Sequence, residues 1–363
     1  MSAQLGPLKK TMFSAAVALV FLFVLNAAAA LFYDGRYLLQ NLLIPVNDKA
    51  YSPSLADDPE RSVAIFREFE ALRTRYEPYV AWSRLPFAGE TTTVNVEGDR
   101  VHPVAPESPD VHIRLFGGST MWGKGVADEG TIPARLAGLR PRSAVHNHGE
   151  SGFVSRQALA RLINLLNQDE PTDAVVFYDG CNDFYTLCRS DVSINGHSRE
   201  VKIRDKMTPR SYILDTLVGA LRETIAYLLL QVGVIRDAPS RCAEDSAHAR
   251  LVAETMVANW RIAKEIADAR GIEFHAFLQP IATAGAPDIG YLGFDAEADN
   301  PRHRSYRTVY PLVQEIIRAR GGDWMHDLSD AFDGQGAIYI DGCHVNERGN
   351  AIIADRIHSK IRL

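Results

Sequence analysis

The chain has 363 residues, 46% of them hydrophobic, enough for one large α/β domain with additions. A formal net charge of -6 gives no electrostatic basis for a nucleic-acid partner. Four cysteines fit an oxidising compartment.

Met12 to Phe32 is apolar apart from Ser14 and Asn26 and carries no charge. About 21 residues suffice to cross a hydrocarbon core. Lys9 and Lys10 precede this stretch and Arg36 follows it. The basic bias predicts a transmembrane signal-anchor over residues 1–33, with the N-terminus cytoplasmic and the remainder extracytoplasmic, periplasmic if the source is Gram-negative. A cleaved signal ending at Ala27-Ala28-Ala29-Ala30 is the alternative. It is disfavoured because Leu31-Phe32-Tyr33 prolong the apolar run.

Residues 34–109 read as a juxtamembrane stem (34–57) and a small subdomain. Apolar residues from Val63 to Tyr76 predict an amphipathic helix over Asp58–Tyr76, and Thr91–Val96 predicts a strand. Residues 110–363 then alternate strand and helix. Strands are expected at Val111–Phe116, Ala144–Asn147, Ala174–Tyr178, Glu273–Leu278 and Trp324–Leu328. Helices are expected at Thr131–Leu139, Ser155–Asn167, Ser246–Arg270, Arg302–Arg320 and Asn346–Ile361. The fold class is therefore α/β: a three-layer α/β/α sandwich with a central parallel sheet, plus the N-terminal transmembrane helix.

A helical insertion, 189–243, interrupts the alternation. Within it Ser211–Val234 is very apolar, but Asp215, Arg222 and Glu223 favour a buried or membrane-surface helix over a second span. Cys188 and Cys242 bracket the insertion and are the first choice for a disulfide. Cys181 and Cys343 could lie near each other, and four free buried cysteines are the alternative. The loop from Ile281 to Asn300 follows a strand end, where it would shape a groove or lie on the surface.

Four segments carry chemistry: Gly117-Gly118-Ser119, Ser151-Gly152, Gly180-Cys181-Asn182-Asp183 and Asp341-Gly342-Cys343-His344. Ligands of parallel α/β sheets bind at the carboxyl ends of strands, and Ser119, Gly152 and Asn182 each follow a predicted strand. Together the four segments resemble the blocks of the SGNH (GDSL-like) hydrolases, with Gly118 where that family more often has Asp. The resemblance covers residues 110–363. It implies Ser119 as nucleophile, His344 as base and Asp341 as its orienting carboxylate. It also implies an oxyanion hole from the N–H groups of Ser119 and Gly152 and the side chain of Asn182. Asp183 is expected to be structural. Trp122, Lys124 and Tyr185 are placed by position alone to line a pocket.

The implied activity is that of a membrane-anchored serine esterase acting through an acyl-enzyme on O-acyl groups, acetyl among them. The substrate would be a small ester or an acylated glycan of the envelope or an exported polysaccharide. Polysaccharide O-acyltransfer and a non-catalytic envelope scaffold are the alternatives. No cofactor or metal is called for; His146-x-His148 as a metal site competes with simple alternation along a strand. A histidine base predicts activity rising near pH ~6–7.

Overall fold

The computed structural model describes residues 7–43, 48–104, 106–207, 240–293, 300–320 and 322–363, with 218–222, 224–225 and 227–229 in the insertion. Most of the expected helix Ser211–Val234, and residues 294–299 of the expected groove loop, lie outside the described residues. The chain divides into two compact units. One is Met1–Pro45 with Arg199–Asp237; the other is Val46–Ser198 with Ala238–Leu363.

The first unit contains a 37-residue helix, α1 (Pro7–Leu43), whose stretch Lys9–Phe32 is long and apolar enough to cross a membrane. Length and composition of this kind also suit a signal sequence. Within the unit, Leu221 N–H donates to Asn26 Oδ1 at 3.2 Å and Thr224 Oγ1 to the Ala29 carbonyl at 3.4 Å. Leu221 and Thr224 of the insertion therefore contact the apolar helix.

In the second unit two short 3-10 helices, Asp48–Tyr51 and Pro53–Leu55, precede α2 (Pro59–Ala71). Asp58 caps it by accepting from Arg61 N–H, and a proline follows at the first helical position. The helix ends five residues short of the expected Tyr76. Residues 74–77 instead form β1 (Thr74–Glu77), paired antiparallel with β2 (Ala81–Arg84), so hairpin pairing overrides the helical period. The expected strand Thr91–Val96 shrinks to β4 (Thr93–Val94), which pairs with β3 (Phe87–Ala88). It stops at Asn95, whose side chain accepts from Asp99 N–H at 2.8 Å and turns the chain. Arg100, at the end of that turn, bridges by its backbone to Asn147.

The main sheet comprises β5 (Val111–Gly117), β6 (Ser143–Asn147), β7 (Ala174–Asp179), β8 (Glu273–Leu278) and β9 (Met325–Asp327), in the order β6-β5-β7-β8-β9. All four pairings are parallel. Every residue of β7 is buried, as a central strand covered on both faces requires, whereas β6 alternates buried and half-buried positions at the edge. Five of the strand expectations hold with ends shifted by a residue or two.

The remaining helices are α3 (Ser119–Trp122), α4 (Ile132–Leu139), α5 (Ser155–Leu166), α6 (Cys181–Leu187), α7 (Glu200–Met207, in the first unit), α8 (Arg241–Glu244), α9 (Ser246–Asp268), α10 (Pro301–Arg320) and α11 (Glu347–His358). One face of the sheet packs on α4 and α11 through Ile113, Leu115, Val145 and Val176 against Ile132, Leu136, Ile353 and Ile357. The other face packs on α5 and α9, with α10 against α9. The architecture is thus a three-layer α/β/α sandwich. The chain runs from β5 out to β6 and then back across to β7. That reversal leaves a crevice at the carboxyl ends of β5 and β7, where open parallel sheets bind ligands.

Candidate active site

Ser119 opens α3 directly after β5, and Asn182 lies in the first turn of α6 directly after β7. The two residues therefore flank the reversal point. His344 arrives from the other end of the sequence on a loop closed on itself. Ile340 N–H donates to the His344 carbonyl at 2.8 Å, and Asn346 N–H to the Ile338 carbonyl at 3.0 Å. Asn346 then caps α11 by accepting from Gly349 N–H. The imidazole direction is fixed by this loop and by Asp341.

Ser119 Oγ stands 2.7 Å from His344 Nε2. His344 Nδ1 stands 2.9 and 2.8 Å from the two Asp341 oxygens. Asp341 Oδ1 also accepts from the backbone N–H groups of Cys343 and His344, each at 3.0 Å. Oδ2 pairs with the Lys49 ammonium. The carboxylate thus has a full set of donors, and its orientation is determined. Ser119 and His344 are 8% and 9% exposed, so the pair is shielded but reachable.

Burial acts against charging both Asp341 and His344, yet each holds the other in its charged form. Asp341 is held well below the ordinary carboxylate value by His344 and Lys49. Burial pulls His344 down, and the Asp341 carboxylate together with Cys343 outweighs that and raises it to about 9. At neutral pH the resting imidazole is therefore mostly protonated and Nε2–H donates to Ser119 Oγ. The expected titration near pH ~6–7 moves upward for this reason.

Three donors are the candidates for an oxyanion hole. Gly152 adopts φ +81, a left-handed conformation that a residue with a β-carbon resists. Among the described residues neither the Gly152 N–H nor the Ser119 N–H donates to a protein acceptor. Asn182 Nδ2 donates one hydrogen to the Phe153 carbonyl at 2.8 Å, which fixes the amide and leaves its second hydrogen. A β-carbon built on Gly118 would fall 2.3 Å from Asn182 Nδ2. Glycine at 118 is what lets the amide reach this position.

Asp183 has a different task. Buried, it accepts from Ser155 N–H at 3.0 and 3.1 Å and from Ser155 Oγ at 2.6 Å, anchoring the start of α5 behind Gly152. Burial raises its carboxyl to about 6 despite those donors. Trp122 does not line the crevice. It is 1% exposed and lies beneath Arg100, 4.3 Å from the ring, with Phe69 against its edge. Lys124 sits over Phe69. Tyr185 carries the Arg302 guanidinium 4.3 Å above its ring. His148, just past the end of β6, uses Nδ1 on Asp99 at 3.0 Å and Nε2 on Arg114 at 3.0 Å.

Cys188 and Cys242 form a disulfide, and Cys181 and Cys343 are free. The two free thiols hydrogen-bond to each other, which lowers Cys181 and, with burial, raises Cys343 well above the usual thiol value. Cys181 Sγ also meets Tyr306 OH at 2.9 Å. Lys49 is the residue that sequence reasoning missed: it lies in the stem, 292 positions from Asp341, and nothing in its neighbourhood marks it.

No protein-family model and no curated protein matches the chain. Among solved structures it is similar to a member of the lipolytic protein G-D-S-L family from Veillonella parvula DSM 2008, at 14% identity over 70% of this chain and 100% of that one, with a TM-score of 0.38. It is also similar to Est24, a carbohydrate acetylesterase from Sinorhizobium meliloti, at 13% identity over 69% and 98%, TM-score 0.35. A third similarity is to Axe2, an acetylxylan esterase from Geobacillus stearothermophilus, at 15% identity over 71% and 97%, TM-score 0.34.

Proposed function

We propose that this protein is a serine esterase that removes O-acyl groups, acetyl first among them, from a glycan outside the cytoplasm. The observation that carries the reading is the unbroken contact from Ser119 Oγ to His344 Nε2 and from His344 Nδ1 to Asp341. In the reaction neutral His344 takes the Ser119 proton as Oγ attacks the acyl carbon. Asp341 stabilises the imidazolium that results. The developing oxyanion lies among the N–H groups of Ser119 and Gly152 and the free hydrogen of Asn182. Collapse breaks the ester bond, and His344 returns its proton to the departing sugar hydroxyl. Water, deprotonated by the same histidine, then releases the acid and restores Ser119. The apolar stretch Lys9–Phe32 and the Cys188–Cys242 disulfide support an exported, membrane-anchored location.

The test uses the full chain in detergent. A fluorophosphonate should label Ser119 and abolish acetate release from an activated acetyl ester, and the Ser119→Ala protein should neither be labelled nor release acetate. Absence of both labelling and release would sink the esterase reading. Acyl groups appearing on an added glycan in place of free acetate would make the protein a transferase.

A further inference from the structure

A cavity of about 510 Å³ lies along α5, and Ser119, His344 and Asp341 are not among the residues that line it. Its polar lining includes Tyr79, Arg156, Asn164, Asn167, Asn195 and His197. The first turn of α5 begins three residues after Gly152. His197 meets Trp82 edge-on at 5.5 Å, and Trp82 lies 3.6 Å from where a Gly152 β-carbon would be. One aromatic ring therefore separates this cavity from the proposed oxyanion hole. From Arg156 to Asn167 it follows α5 for roughly 16 Å at the helical rise per residue.

One wall of the cavity carries Tyr79. Its side chain is 90% exposed, and its backbone sits at φ 63, a costly conformation for a residue with a side chain. The hairpin turn carrying it is fastened to α5 on both sides. Gln157 Nε2 donates to the Val80 carbonyl at 2.7 Å, and Asn164 Nδ2 donates to the Pro78 carbonyl at 3.5 Å. An aromatic face is thus held out to solvent by a strained, anchored turn. Packing does not explain it, since the ring packs on little.

Among the described residues lining the cavity there is no carboxylate, and Arg156 supplies the one formal charge. Side-chain amides both donate and accept, as sugar hydroxyls do. An exposed phenol ring offers the flat apolar surface on which a sugar ring's C–H face can lie. Size, at the middle of the range for ligand sites, fits a short oligosaccharide.

We propose that this cavity is a glycan subsite that holds a neutral oligosaccharide chain leading away from the acylated sugar at Ser119. The proposal rests on the esterase reading and deepens it. It assigns substrate length preference to residues remote from the chemistry, with Tyr79 as the platform for one ring of the chain.

The experiment uses the full-length Ser119→Ala protein in detergent. Binding is measured by calorimetry to three neutral β-1,4-linked tetrasaccharides, of glucose, xylose and N-acetylglucosamine, and to tetragalacturonate as the acidic counterpart. At least one neutral tetrasaccharide should bind, and more tightly than its monosaccharide. Tyr79→Ala and Asn195→Ala should each weaken that binding about tenfold, the order of one lost ring contact or amide pair. Circular dichroism confirms the fold of each variant. With Ser119 restored, both substitutions should raise KM for the acetylated tetrasaccharide and leave kcat/KM for p-nitrophenyl acetate unchanged. Binding of none of the neutral tetrasaccharides, preference for tetragalacturonate, or binding indifferent to both substitutions would overturn the subsite. Loss of p-nitrophenyl acetate hydrolysis in the unmodified protein would instead overturn the esterase reading, since the calorimetry does not depend on turnover.

Discussion

Replacing Asp341 by Asn probes the claim that the base is held charged by its neighbour. His344 stands at about 9 against an ordinary 6.5, although burial alone would lower it. The rise corresponds to roughly 3 kcal/mol in favour of the imidazolium at 1.36 kcal/mol per pH unit. Only neutral His344 can accept the Ser119 proton. Hence kcat/KM of the unmodified protein should climb about tenfold per pH unit below the midpoint and level off near pH 9. In Asp341→Asn the carboxylate is gone while burial stays, so the midpoint should fall below 6.5 and the profile should be flat between pH 7 and 9. The plateau should also drop, by ~10⁴ where loss of an orienting carboxylate resembles that in other serine triads. The assay is acetate release from an unactivated aryl acetate over pH 5–10, corrected for spontaneous hydrolysis. A shared midpoint near 6.5 in both proteins would refute the electrostatic argument. Stability follows the same pair. His344 has a raised value, so its contribution is complete below pH 6.5 and lost as pH rises through about 9. Asp341 has a lowered value, so its contribution is complete above 3.8 and lost in acid.

Further outcomes follow from single contacts. Gly118→Ala should push Asn182 aside and cost ~10²–10³ in kcat, the scale of one lost oxyanion donor, and adding Asn182→Ala should cost little more. Additive losses in that double variant would show that Gly118 does not act through Asn182. Lys49→Met removes a positive charge from Asp341 and should move the pH midpoint of kcat/KM upward, whereas a downward shift would contradict the pairing. Cys188→Ser with Cys242→Ser opens a loop of 54 residues, and chain-entropy arithmetic puts the loss at up to about 4 kcal/mol, read as a lower Tm under non-reducing conditions. Alkylation at Cys343 should inactivate the protein by crowding the His344 imidazole, whose Nδ1 lies 3.9 Å from the sulfur; full activity after stoichiometric labelling there would argue against it.

Strand and helix in the main domain could be read from the sequence because each element carries its own signal. Ala174–Tyr178 is an unbroken apolar run, and Thr131-Ile132-Pro133 places a cap and a proline at a helix start that the structure keeps, with Ala134 N–H on Thr131 Oγ1 at 3.2 Å. Where two local preferences compete, the sequence misleads. Val63 to Tyr76 keeps a helical period to its end, yet Arg75 pairs with Ser83 across a hairpin, because the pairing energy comes from a partner eight residues on. Trp122 follows Ser119 by three residues, but in the short turn of α3 that places it inward under Arg100 rather than in the crevice.

The candidate site shows the same division between local and distant signals. Ser119, Gly152 and Asn182 could be placed at one rim because each follows a strand of a parallel sheet, and strand direction decides where such loops emerge. Lys49 could not be placed, since its partner is chosen by how the stem returns to the main domain and no periodicity records that path. Gly118 lies between these cases. The glycine is visible in the sequence, but its reason is a distance to Asn182 across two neighbouring strands. With any side chain at 118, this amide must be seated differently or the backbone must yield. The departure at 118 is therefore a statement about Asn182, and the pair must be changed together for either to be understood.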